Sequence, residues 1–250
     1  MLPGLVLVVF LAVVFAFATL PEARASELQD AIEGGNIAQV KALLNSGADP
    51  NEHSIYGGPL NLAVSDGFVE IATVLIDAGA NIETPGLSGT HPLHTAAGTG
   101  NAPIAKLLLA RGAKVDAVDS KGGTPLIAAA LASEIAGGAD VLKILLAAGA
   151  DPRRADTGNQ MTALHYAGAK GRVEVAEILL NAGVDINIRD GQGSTALHHA
   201  AGDGQLAMVQ FLVAHGADVN IANNAGETPL QLAKGSPGIQ ELLVKSGAKQ

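Results

Sequence analysis

Histidine is the residue type in this sequence with the clearest capacity for chemistry, because imidazole can transfer protons or bind a metal near neutral pH. The chain has seven histidines and no cysteine. His198 and His199 are adjacent and Asp203 follows them, which brings together side-chain types that can ligate zinc. Adjacent positions on a helix point about 100° apart, so the two imidazoles cannot easily share one ion. We therefore expect no metal site.

The sequence lacks the other common catalytic motifs. It contains no phosphate-binding loop, no HExxH helix, no nucleophile elbow and no paired-carboxylate motif. Serines such as Ser65 and Ser194 have no evident His/Asp arrangement around them. The sequence predicts that the protein is not an enzyme, with no catalytic residue and no cofactor.

Composition excludes further classes. The chain has 250 residues, a formal charge of −9 and only 15 basic residues, which argues against binding to nucleic acid phosphates. With 48% hydrophobic residues it is too apolar to be disordered. The absence of cysteine rules out disulfides, Cys-ligated zinc and iron–sulfur clusters.

Three of the histidines belong to a tetrapeptide that recurs along the chain. Its leucine falls at Leu60, Leu93, Leu126, Leu164, Leu197 and Leu230, with spacings of 33, 33, 38, 33 and 33. A glycine marker follows in phase at Gly47, Gly79, Gly112, Gly149, Gly183, Gly216 and Gly247. Counting back 19 residues from Gly47 reaches Leu28, which indicates a seventh unit without the tetrapeptide. A fixed period of this length is typical of stacked repeat architectures.

Each unit has the pattern of two short helices. A turn-rich stretch leads into an Ala-rich helix, and a glycine about seven residues after the leucine ends it. A second helix follows with apolar residues at helical spacing, such as Val175, Ile178 and Leu179. Neither helix can bury its apolar face alone, so the units must stack. Approximate boundaries are 26–50, 51–83, 84–116, 117–153, 154–187, 188–220 and 221–250.

The sequence closely resembles the ankyrin repeat family. The family's Thr-Pro-Leu-His pattern is matched by Thr124-Pro125-Leu126, Pro92-Leu93-His94, Thr162-Ala163-Leu164-His165, Thr195-Ala196-Leu197-His198 and Thr228-Pro229-Leu230. The resemblance covers about residues 28–248. It implies an all-α solenoid of stacked helix–turn–helix units with short β-hairpin loops, in which the tetrapeptide residues Thr124, Pro125, His94, His165 and His198 have structural roles.

The fourth unit departs from the period. Four extra residues lie near 131–140, between its two helices, and one more lies near 153–157 in the next hairpin. Insertions in repeat proteins map to loops on one face, which is often the working face. Neutral drift in loop length is the interpretation that we favour here.

The N-terminus reads as a secretory signal peptide. Residues 1–20 carry no charged side chain, and Ala23 and Ala25 fit the small-residue rule for cleavage after Ala25. This predicts a leader at 1–25 and an ankyrin-repeat domain at 26–250. An apolar stretch of 20 residues could also span a bilayer, so a retained membrane anchor is the alternative.

In the resembled family, partners bind the concave face formed by hairpin tips and first helices. On that face we predict Tyr56, Leu87, Met161, Tyr166, His199 and Asp203 as partner-contacting residues, because large amphipathic or apolar groups dominate binding hot spots. The acidic excess is spread over many repeats, which indicates a solvated surface in preference to a site for a basic partner.

The sequence therefore predicts a non-catalytic, exported protein that binds another protein. A periplasmic or secreted location fits the leader and the absence of cysteine. We expect a monomer without nucleic acid and, after cleavage, without a membrane. A membrane-tethered scaffold is the second interpretation, and an enzyme or metal protein using the histidines is the third.

Overall fold

A computed structural model describes residues 21–52, 57–132 and 137–249, with side chains from residue 27 onward. The expected leader at 1–20 and the expected contact residue Tyr56 lie outside these ranges. The described residues contain fourteen α-helices, a three-residue 3₁₀ turn at Leu87–Gly89 and no strand. The chain divides into two compact units, one ending at Leu87 and the other beginning at Ser88.

The first unit contains four helices around an aliphatic core. They are α1 (Pro21–Glu33), α2 (Ile37–Asn45), α3 (Pro59–Ser65) and α4 (Val69–Asp77). Helix α1 packs against α2 and α3, and α4 packs against α2 and α3. The buried side chains at the centre include Leu28, Ile32, Val40, Leu60 and Leu75. Helix α1 runs through the predicted cleavage site after Ala25.

The second unit contains five helix pairs. They are α5 (Pro92–Gly98) with α6 (Ala102–Ala110), α7 (Pro125–Leu131) with α8 (Gly138–Ala147), α9 (Ala163–Lys170) with α10 (Val173–Asn181), α11 (Ala196–Gly202) with α12 (Leu206–Ala214), and α13 (Pro229–Leu232) with α14 (Pro237–Lys245). Each first helix packs on the first helix of the next pair, and each second helix on the next second helix. The unit is therefore a two-layered helical stack, as the 33-residue period predicts.

Small residues bring the first helices close together. Ala129, Ala167 and Ala200 have no exposed surface. The tightest approach is at Gly168 in α9, where an added Cβ would lie 2.6 Å from the carbonyl oxygen of Ala196. Leucines of the second helices, such as Leu145 and Leu179, fill the remaining interior. This packing explains how the core forms almost without aromatic side chains.

The helices begin and end at the types of residue that the sequence predicts. The Thr124 hydroxyl accepts a hydrogen bond from the backbone N–H of Ile127, and Pro125 occupies the first turn of α7, where no N–H is needed. Gly171 and Gly204 take φ values of 68° and 73° where the first helices end. That left-handed conformation costs glycine little, so the predicted role of these glycines is confirmed.

The predicted hairpins form as tight turns. Ala155 and Thr162 form an isolated antiparallel β-bridge in one of these turns. This turn belongs to the hairpin with the extra residue, where Gln160 takes a φ of 55°. The four-residue insertion lies between α7 and α8, as the repeat spacing predicts. Assignment of the helix pairs to seven ankyrin repeats stays a prediction.

Candidate protein-binding face

The loop tips of the second unit are joined by backbone hydrogen bonds. We define four tips by their residues: 119–123, 156–161, 190–194 and 223–227. In each, one N–H donates to a carbonyl of the preceding loop at 2.8–3.0 Å: Ser120 to Ser88, Thr157 to Lys121, Gly191 to Asn159, and Asn224 to Gln192. The tips are consequently held at fixed spacing by their own backbone.

A carboxylate or amide at the start of each tip closes the turn. Oδ1 accepts two backbone N–H groups two to four residues ahead: Asp119 from Lys121 and Gly123, Asp156 from Gly158 and Asn159, Asp190 from Gln192 and Ser194, and Asn223 from Ala225 and Glu227. Such side-chain-to-backbone bonds fix a turn without a partner. The tips are therefore preorganised.

In two of the tips, the second carboxylate oxygen of the aspartate, Oδ2, contacts a large side chain on the first helix that follows. Tyr166 on α9 donates its hydroxyl to Asp156 Oδ2 at 2.8 Å. His199 on α11 places Nε2 2.8 Å from Asp190 Oδ2. Tyr166 and His199 each lie two residues after the tetrapeptide leucine, so they hold equivalent positions in consecutive repeats.

These two contacts differ in burial and charge. The Asp190 side chain is 1% exposed and that of His199 is 24% exposed, so the imidazole faces outward over a buried carboxylate. Burial, followed by the hydrogen bond and charge of Asp156, raises the pKa of Tyr166 to about 12. The phenol therefore remains a neutral donor with one edge open to a partner.

The tetrapeptide histidines are buried and link consecutive tips. Nδ1 of His165 accepts the N–H of Thr162 at 3.1 Å, which leaves Nε2 to donate toward the Ser194 carbonyl at 3.2 Å. His198 makes the same pair of contacts with Thr195 and Glu227, at 3.0 and 3.2 Å.

Burial, more than any other cause, lowers the pKa of both His165 and His198. His94 repeats the pattern with His91 and the Gly123 carbonyl, at 3.2 and 2.9 Å. All three rings are occupied with structural contacts.

The predicted contact residues have different positions. Leu87 is 57% exposed in the 3₁₀ turn, and Asp203 is exposed at the C-terminal end of α11. Met161, by contrast, is only 8% exposed and is not available to a partner. Met161 directly precedes the N-cap threonine of its first helix. Gly123 and Ser194 hold the equivalent positions in two other repeats, and both are also buried.

No cluster of three His, Cys, Asp or Glu side chains suited to a metal occurs among the described residues. His198 uses both ring nitrogens within the fold, and His199 Nε2 contacts Asp190. The adjacent imidazoles therefore have separate surroundings, as their helical spacing suggests.

Sequence reasoning missed two sets of structural side chains. One is the aspartates that close the tips, such as Asp190, which the sequence marks only as turn residues and as part of the acidic excess. The other is asparagines four residues after the glycine marker: Asn187 accepts the N–H of Asp218, and Asn220 contacts Gly247 and Lys249. Both recur at the repeat period, and that recurrence is the signal that could have revealed them.

Family comparison accounts for most of the chain. The family described as ankyrin repeats (3 copies) matches residues 28–119, 60–156 and 112–190, and the family described as ankyrin repeats (many copies) matches 179–233. The chain belongs to the ankyrin repeat family. Members of this family generally mediate protein–protein interaction, and the fold is typically a non-catalytic binding scaffold.

Individual relatives cover shorter stretches. A 53-residue stretch is 47% identical to the E3 ubiquitin-protein ligase KEG of Arabidopsis thaliana and spans 21% of this chain and 3% of that protein. A 78-residue stretch is 36% identical to human protein phosphatase 1 regulatory subunit 27, spanning 31% of this chain and 51% of that protein.

Among solved structures, the ankyrin repeat domain of Bcl-3, a member of the IkappaB protein family, matches with a TM-score of 0.73 and 27% identity over 87% of this chain and 97% of that one. No helix in the described part of this chain is long and apolar enough to span a membrane.

Proposed function

We propose that this chain is a non-catalytic, exported ankyrin-repeat protein that binds a protein partner through the tips and first helices of residues 88–249, here called the tip face. The observation that carries the proposal is the equivalent placement of Tyr166 and His199, each tied to an aspartate that also closes a tip. Amphipathic side chains held in one position lose little entropy on binding and are favoured at hot spots.

The rest of the tip face suits a wide, polar interface. Its exposed groups are short or uncharged except for Lys121, Lys170, Asp203 and Lys234. Asp203, at the C-terminal end of α11, is a further proposed partner contact on this face. On the first unit, Leu87 stays a separate proposed contact. The human relative is named as a regulatory subunit, which accords with a binding role.

Capture of a partner with variant proteins tests this proposal. We expect the double variant Tyr166→Ala, His199→Ala to capture at least tenfold less of any protein that the unmodified chain captures. Quantitative mass spectrometry measures the captured amounts. Glu177→Ala, an exposed change on second helix α10, is the matched control and retains capture. Equal capture by the double variant and the control would refute this placement of the site.

We propose further that residues 1–25 form a cleaved export signal and that 26–250 fold as seven repeats in the periplasm or outside the cell. The small residues at Ala23 and Ala25 support cleavage, whereas the uninterrupted apolar stretch favours the alternative of a tethered scaffold. Mass spectrometry of the N-terminus separates the two. A chain starting at Ser26 supports export, and an intact Met1 in the membrane fraction supports the tether.

A further inference from the structure

One tip differs from its neighbours in what its aspartate contacts. Asp156 and Asp190 each use Oδ1 to close the turn and Oδ2 to bind a side chain of the following first helix. Asp119 closes its turn in the same way, with Oδ1 accepting the N–H groups of Lys121 and Gly123 at 2.8 Å. Its Oδ2 accepts no hydrogen bond from the described residues.

The cause is the residue two places after the tetrapeptide leucine. Tyr166 and His199 fill that place on α9 and α11, whereas α7 has Ala128. A methyl group can neither reach the carboxylate nor donate to it. The shorter side chain leaves a pocket of about 160 Å³ next to Asp119.

This pocket has one charged group and an apolar wall. Its lining includes Asp119, His94 and the apolar side chains of Ile127, Ala128 and Leu131. Leu131 is 40% exposed at its edge. His94 belongs to the floor and is occupied by its contact with the Gly123 carbonyl at 2.9 Å.

Size and charge together indicate the kind of occupant. The pocket is smaller than the roughly 300–1,000 Å³ of small-molecule sites, so it suits one side chain of a larger partner. A carboxylate oxygen to which no described residue donates favours a cation, and the apolar wall favours a long aliphatic stem. Asp119 also helps to raise the pKa of Tyr166, so its negative charge is felt across the neighbouring tip.

We infer that the Asp119 pocket binds an arginine or lysine side chain presented by a basic segment of the protein partner. The cationic group occupies the place that the Tyr166 hydroxyl and the His199 imidazole hold in the next two tips. Its aliphatic stem lies along Ala128 and Leu131. This inference rests on the proposed binding function and names the chemistry of one contact within it.

The test uses a small cation in place of the partner. N-acetyl-arginine amide is titrated into the methyl-labelled full chain, with uncharged N-acetyl-citrulline amide as the matched probe. We expect saturable NMR shifts of the Ala128 and Leu131 methyl groups with the arginine probe and at least tenfold weaker binding of the citrulline probe. Equal binding of both probes, or no saturable shift up to the solubility limit of the arginine probe, overturns the inference.

Two variants localise the effect. Ala128→Tyr copies the arrangement of Tyr166 and should abolish the shift at Leu131 by filling the pocket. Asp119→Asn keeps an oxygen to close the turn but removes the charge, and should weaken arginine binding at least tenfold. Glu177→Gln removes an exposed charge on the second helix α10, outside the tip face, and should leave binding unchanged. Unchanged binding by Asp119→Asn, with an unchanged thermal midpoint, contradicts the assignment.

The probe and the capture experiment fail independently. The probe tests the Asp119 pocket without a partner, whereas the capture variants Tyr166→Ala and His199→Ala lie on the following two first helices. If the capture variants lose the partner but the arginine probe does not bind, only the inference about the Asp119 pocket is overturned. Arginine binding at Asp119 without loss of capture overturns the proposed placement on Tyr166 and His199 and leaves the pocket standing.

Discussion

Asp190 and His199 form a contact in which one carboxylate serves both the backbone and the binding face. Oδ1 of Asp190 accepts the N–H groups of Gln192 and Ser194 at 2.9 Å each, and Oδ2 lies 2.8 Å from His199 Nε2. The turn and the imidazole are therefore coupled. A change in the carboxylate must alter both the shape of the tip and the orientation of His199.

Asp190→Ala should destabilise the protein because it leaves two turn N–H groups and the imidazole without their acceptor. Hydrogen bonds to charged groups contribute about 1.5–3 kcal/mol each, and water can replace some of this at a tip, so we expect a loss of about 2–3 kcal/mol. Urea denaturation followed by circular dichroism measures it. Asp203→Ala, at an exposed helix end, is the control, and a loss no greater than that of the control would contradict the prediction.

Gly168→Ala should also destabilise the stack. The added Cβ would lie 2.6 Å from the backbone carbonyl oxygen of Ala196, which cannot move without shifting α11. Overpacking of this kind costs about 1–3 kcal/mol. Gly202→Ala is a matched control because its Cβ would come no closer than 3.9 Å to Leu232. The helix propensity of alanine should make that control neutral or stabilising by up to about 1 kcal/mol. Thermal midpoints that fall equally for both would argue against the close contact.

Stability should fall as the pH drops below about 6.5. The pKa values of buried His165 and His198 are lowered in the folded state from 6.5, so the unfolded chain takes up protons first. The stability is fully present above the unfolded pKa and is lost as the pH falls toward the folded pKa. A protonated ring would also point an N–H at the donor N–H of Thr162 or Thr195.

His198→Gln tests the origin of this pH dependence. Gln231 occupies the corresponding place in the last tetrapeptide, where its Oε1 accepts the N–H of Thr228 at 2.9 Å. The substitution keeps an acceptor and removes a titrating group. Denaturation midpoints measured from pH 8 to 5 should decline less steeply than in the unmodified chain. An unchanged slope would show that other groups dominate.

Asn220→Ala should loosen the C-terminal end of the chain. Its side chain donates to the Gly247 carbonyl at 3.1 Å and accepts the Lys249 N–H at 2.9 Å. Without this bridge the amides after α14 should exchange with deuterium at least several-fold faster, because the residues after α14 lose the two hydrogen bonds that the Asn220 side chain makes to them. Gln210→Ala, an exposed change on α12, should leave exchange there unaltered.

The sequence predicts the helices well because two markers, such as Leu164 and Gly183, recur in phase and each has a local physical cause. Placement of side chains on the tip face is less predictable. Met161 belongs to a tip, but it lies directly before the N-cap residue Thr162, where its side chain is buried. The roles of Asp119 and Asp190 depend on which side chain follows nine residues later on another element. Single-residue types do not encode that relationship.

The insertion between α7 and α8 leaves the series of tip hydrogen bonds intact on both sides, from Ser88 to Ser120 and from Lys121 to Thr157. The added residues follow the C-terminal end of α7, whereas the tip at 119–123 precedes its N-terminal end. The loop therefore offers an attachment point for a fluorophore or an affinity handle that reports on binding without altering the spacing of the surface being studied.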